Sequence, residues 1–137
     1  IEDDATSTSG TATSYVSGPM KKIGNDAFVF PLGKGGYWAR LGISAPATIT
    51  DAYTAEYYAA SYSVTTVTAP LDHVSQVEYW ILNRTAGTDN VAATLYWESG
   101  TRSGINNLSD IVVAHYTGPN WIDETQVGGT TGTTSAG

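Results

Sequence analysis

The residues that could do chemistry are few and scattered. Cysteine is absent, which removes thiolate nucleophiles, thiolate metal sites and disulfides together. A serine nucleophile needs a base beside it that is itself oriented, and the chain has no Gly-x-Ser-x-Gly elbow or other hydrolase signature. The two histidines are His73, in an expected loop after Pro70, and His115, in an expected strand. Each reads as an exposed or hydrogen-bonded structural side chain, and neither has the spacing of a zinc site. Glu56, Glu78, Glu98, Asp110 and Asp123 could supply the paired carboxylates of a glycosidase. Nothing in their spacing makes two converge, and a solvated sheet face accounts for them, so no catalytic residue is assigned.

Two loops offer the oxygen ligands that calcium takes, Gly87-Thr88-Asp89-Asn90 and Asn106-Asn107-Leu108-Ser109-Asp110. Neither matches an EF-hand or a glycine-rich calcium repeat, and Asx turns explain both equally well. No cofactor is required; calcium is the one inorganic candidate. The aromatic residues carry a different chemistry. Trp38, Trp80, Trp97 and Trp121, with Tyr53, Tyr57, Tyr58, Tyr62, Tyr96 and Tyr116, could stack on sugar rings or fill a core. Trp80 and Trp97 fall inside expected strands and read as core. Tyr57, Tyr58 and Tyr62 lie near a strand end, and are the candidate ligand-binding residues if the chain is a carbohydrate-binding module.

The elements that must position these side chains are strands. Thr13 to Val16, Met20 to Ile23, Ala27 to Phe30, Tyr37 to Ile43, Ala52 to Tyr58, Gln76 to Asn83, Val91 to Trp97 and Ile111 to Tyr116 are short, period-two runs rich in aromatic and β-branched residues. Gly, Pro, Asn and Asp clusters such as Gly18-Pro19, Gly24-Asn25-Asp26 and Gly33-Lys34-Gly35-Gly36 separate them. The spacing predicts an all-β fold, an antiparallel β-sandwich of jelly-roll-like or Ig-like type with about eight strands. Gln76 to Asn83, apolar on both faces, is expected at the centre of a sheet. Thr65 to Thr68 fits a strand or a long loop.

At 137 residues with 41% hydrophobic side chains, one domain over residues 1–137 is expected. Residues 1–14 and 128–137 are linker-like or edge-strand termini, rich in Gly, Ser and Thr. Ordering such ends costs backbone entropy. Strand pairing within the domain or with a neighbouring copy would offset that cost, and Ile1, Thr11, Thr13, Thr131 and Thr133 are the candidate assembly residues. The net charge of −7 and the scattered six Lys and Arg argue against nucleic acid and anionic membrane surfaces. No apolar run is long enough to insert in a bilayer as a helix. The chain opens on Ile1, as a processed product or a piece of a longer protein would.

The run Ser14 to Gly36, ending in SGPMKKIGNDAFVFPLGKGG, resembles a module of large surface and secreted proteins of Bacteroidota exported by the type IX secretion system. The likeness continues through Ala55-Glu56-Tyr57-Tyr58, Val77 to Arg84, Asp110 to Tyr116, Trp121 and the Gly128-to-Gly137 tail, so it covers most of the chain. It implies an extracellular or cell-surface location and a structural or adhesive role in adhesion, gliding-type motility or filament building, with no catalytic residue. The implied partners are further copies of the chain, neighbouring domains of one chain, or glycans. The upstream repeats and C-terminal secretion domain that normally accompany the module are missing. Physically, Gly18-Pro19 turns the chain, and Lys21 and Lys22 are expected to guard a strand edge with charge. Phe28 and Phe30 share a face, and Gly33, Gly35 and Gly36 permit positive φ.

Overall fold

The computed structural model describes residues 1–126 and 128–137. They fall into two compact units, Ile1–Ala59 with Trp80–Tyr96, and Ala60–Tyr79 with Trp97–Gly137. Short strands and turns build both, and the fold is all-β with antiparallel sheets. Among the described residues no helix is long and apolar enough to cross a membrane.

The first unit carries β1 (Met20–Ile23), β2 (Phe28–Phe30), β3 (Gly33–Lys34), β4 (Tyr37–Trp38), β5 (Leu41–Ile43), β6 (Ala52–Tyr58), β7 (Tyr79–Ala86, from Trp80 onward) and β8 (Ala93–Leu95). They form sheets ordered β1-β6-β7 and β2-β5-β8, and a β3-β4 hairpin. Period two dictates what each strand buries. Along β6, Tyr53, Ala55 and Tyr57 are buried while Thr54, Glu56 and Tyr58 are half-exposed on the other face. On the second sheet Phe30, Leu41 and Leu95 share one level, and Phe28, Ile43 and Ala93 the next. The buried residues of both sheets join one core, Phe28, Phe30, Leu32, Ala39, Leu41, Ile43, Tyr53, Ala55 and Tyr57. Phe30 and Leu32 are fully enclosed, and burying a side chain of this kind contributes roughly 1.5–3 kcal/mol.

Two expected strands keep their predicted ends, Met20–Ile23 and Ala52–Tyr58. Tyr37 to Ile43 is broken instead into β4 and β5, which pair with different strands: β4 with β3, where the Ala39 N–H donates to the Leu32 carbonyl at 2.9 Å, and β5 with β2 and β8. The strand expected at the centre of a sheet lies at its edge: the order β1-β6-β7 puts β6 in the middle, and β7 starts at Tyr79. One of its two apolar faces, that of Trp80 and Leu82, packs on the core.

The second unit is held by a hairpin of β9 (Ala114–Tyr116) and β10 (Trp121–Asp123), a four-residue helix Gly100–Ser103 and a 3-10 turn Leu108–Asp110. The chain reverses between the strands at Gly118-Pro119-Asn120, where the Thr117 N–H reaches the Asn120 carbonyl at 3.0 Å. Thr65 to Thr68 is a loop with one bridge, Val67 to Trp121.

Both ends are tied down within their own units. Ile1 lies along β1, its nitrogen donating to the Lys21 carbonyl at 2.8 Å and its carbonyl accepting from Ile23 at 2.8 Å. Thr11 bridges Ser14, and Thr13 donates its N–H to Thr11 Oγ1 at 3.3 Å. Gly137 exchanges backbone hydrogen bonds with Trp97 at 3.0 Å in each direction. The Thr133 carbonyl accepts from the Trp97 indole at 3.0 Å, and Thr131 is exposed.

Candidate functional site

Residues Ile1 to Asp4 form a hydrogen-bonded strap along β1. Lys22 pairs with Tyr53 in the β1-β6 register, so it is carried to the buried face and is 1% exposed. Its ammonium donates to the Glu2 carbonyl at 2.8 Å and to Asp26 Oδ2 at 3.3 Å, and lies 5.8 Å from the centre of the Phe28 ring. Lys22 is therefore not the edge guard that its sequence position suggested; only Lys21 is exposed. Asp3 Oδ1 accepts from the Asn25 N–H at 3.1 Å, and Asp26 Oδ2 from the Asp4 N–H at 2.9 Å. That N–H, with the Lys22 ammonium behind it, holds the Asp26 carboxyl below the ordinary carboxylate range. Asp3, Asp4 and Asp26 are the one group of acidic side chains, among the described residues, close enough to share an ion. Backbone N–H groups and Lys22 already occupy carboxylate oxygens of two of the three.

The calcium-candidate loops spend most of their oxygens internally, although Asp89 Oδ2 is buried with no hydrogen-bond partner among the described residues. Arg84 Nη1 donates to the carbonyls of Thr88 and Asp89, at 2.8 Å each, and to Asn90 Oδ1 at 3.0 Å, so a guanidinium sits where a cation would. The Asp89 carbonyl also accepts from the Tyr53 hydroxyl, and the buried Asp51 accepts the Asp89 N–H at 2.8 Å. Burial, then the Asp51 charge, pushes the Tyr53 phenol up. In the second loop Asn107 Oδ1 caps the 3-10 turn, accepting from the Ser109 N–H at 3.2 Å, while Asn107 Nδ2 donates to Asp110 at 2.7 Å.

The three candidate ligand-binding tyrosines do not share one setting. Tyr57 is 1% exposed and packs its ring on Trp80, with 5.4 Å between centroids, so it belongs to the core. Tyr58 points the other way. Its hydroxyl donates to Glu56 at 2.8 Å, and the Lys34 ammonium, 3.3 Å from Glu56, lies 4.4 Å from the centre of its ring. Tyr62 is the hub of an aromatic cluster in the second unit, within 5.3 Å of the Tyr79, Tyr116 and Trp121 rings. Trp121 anchors that cluster by donating to the Val64 carbonyl at 2.7 Å.

No family model, curated protein or solved structure matches this chain.

Both histidines sit in exposed pairs, His73 with Asp72 at 2.9 Å and His115 with Glu124 at 3.1 Å. Of the candidate carboxylates, Glu56 is tied to Lys34 and Tyr58, Asp110 to the cap of the 3-10 turn, Glu78 is buried, and Asp123 ends β10. Sequence reasoning expected the first residues to be held by strand pairing but missed the Lys22, Asp3 and Asp26 contacts that fasten the strap, and it missed Arg40, whose guanidinium lies 4.7 and 4.4 Å from the Trp38 and Tyr96 rings. The Trp38-x-Arg40 spacing, which puts both side chains on one side of an extended chain, was the available signal for the latter.

Proposed function

We propose that this chain is a structural unit of an exported surface protein, adhesive through its place in a larger assembly, as the resemblance to Bacteroidota type IX modules implies. One observation carries this reading: the run Ser14 to Gly36 is spent on folding. Lys22 clamps the strap, Phe28 and Phe30 pack edge to face in the core at 5.0 Å, and Gly35 and Gly36 turn the β3-β4 hairpin with φ of 61° and 86°. Gly33 serves a different end from the one its sequence position suggested. It has no positive φ; a Cβ there would lie 2.4 Å from the Tyr37 carbonyl and 2.5 Å from the Tyr15 ring. A motif used up in this way is what a scaffold needs, since a ligand site would leave some of its polar or aromatic groups unspent. The tryptophans allow a direct test. Titration of the chain with a broad glycan set, read by tryptophan fluorescence, is expected to give no saturable response. A saturable isotherm abolished by Tyr58→Ala would replace this reading with a carbohydrate-binding module.

A further inference from the structure

The strap occupies an acceptor groove, and the geometry points to the same segment of a second copy as that groove's partner; we propose that copies of this chain join by exchanging Ile1–Asp4 across β1. This rests on the structural-unit reading and names its partner.

In the sheet order β1-β6-β7, β1 has β6 on one side only, and its other edge is the one Ile1 bonds through Lys21 and Ile23. An unpaired edge is a template for any extended chain, but this one is selective. The buried Lys22 ammonium demands a carbonyl at the second position of the incoming segment. The Asn25 N–H takes a carboxylate at the third, and Asp26 takes the N–H of the fourth. Gly24 makes room for the third residue: at its φ of +123° a Cβ would stand 2.1 Å from Asp3 Oδ1 and 2.9 Å from Asp3 Cα. The groove is therefore shaped to a segment with an aspartate at its third position, and the Lys22 ammonium at its floor is shared between the incoming carbonyl and Asp26.

These contacts are polar and follow the backbone, so a neighbouring copy reproduces them without a new interface. The turn that brings the strap back is itself unfavourable. Among the described residues Asp4 is the non-glycine residue with positive φ, 57°, and a chain that extends through Asp4 toward another molecule loses that constraint. Each copy has one strap and one groove, so exchange closes as a reciprocal pair or propagates as a fibre.

Two full-length variants separate donor from acceptor. Asp3→Lys spoils the strap and leaves the groove open; Gly24→Val blocks the groove and leaves the strap free. Neither is expected to associate alone, whereas an equimolar mixture should give a heterodimer of twice the chain mass in light scattering. If Gly24→Val disturbs the fold by circular dichroism, Lys22→Met removes the ammonium at similar volume and takes its place. A mixture that stays monomeric with both partners folded, or self-association by each variant alone, overturns the exchange. Either result leaves the structural-unit reading in place, because that reading is tested separately, by the glycan titration and by the chain's location on intact cells.

Discussion

The Lys22 ammonium donates to the Glu2 carbonyl at 2.8 Å from a side chain that is 1% exposed. A lysine is almost never buried without partners, and here a residue twenty positions earlier in the chain supplies one. The pair joins the first residues of the chain to the core of the first unit, since Lys22 lies opposite Tyr53.

Lys22→Met keeps the aliphatic stem and removes the charge-assisted bonds. A hydrogen bond of that kind contributes about 1.5–3 kcal/mol. The variant should lose stability of that order in urea denaturation, and the Ile23 amide, which bonds Ile1, should exchange hydrogen faster while amides of β5 keep their rates.

Acid should release the same strap. Asp26 has its folded pKa depressed by the Asp4 N–H and Lys22, so its contribution is present above the unfolded value of about 3.9 and is lost as pH falls through the lower folded value. Ile23 amide protection measured from neutral pH downward should fall below about pH 4, and Asp26→Asn should flatten that fall.

Aromatic substitutions should rank by enclosure. Phe30, with no exposed surface, should cost about 3–5 kcal/mol on replacement by alanine. Trp80 is only half-buried, packed on Tyr57 and bonded to the Ala39 carbonyl at 3.2 Å, so Trp80→Ala should cost less, about 2–3 kcal/mol. Equilibrium denaturation of the two variants checks the order.

Within one glycine-rich turn, Gly33→Ala should be worse than Gly35→Ala. The first forces backbone and the Tyr15 ring apart, whereas the second meets open space and costs only the unfavourable φ of 61°, about 1 kcal/mol. Melting temperatures of the two variants decide it.

How much of this was legible depends on range. Period two with flanking Gly18-Pro19 and Gly24 located β1, and the same alternation should have separated Tyr57 from Tyr58, since adjacent residues on a strand face opposite ways. Lys22 could not be read, because its burial follows from the β1-β6 register and a strap twenty residues away. The hairpin strands β3 and β10 escaped for another reason. Each is too short to show a period, and Gly33-Lys34 looks like turn until Tyr37-Trp38 pairs with it.

The most direct measurement of the central claim is surface shaving of intact native cells that make the protein, with this chain followed by mass spectrometry. A structural unit of an exported surface protein should appear among peptides released by external protease, or in the medium, while cytoplasmic markers stay inside. Recovery of the chain only after lysis, with the cytoplasmic markers, would contradict the account.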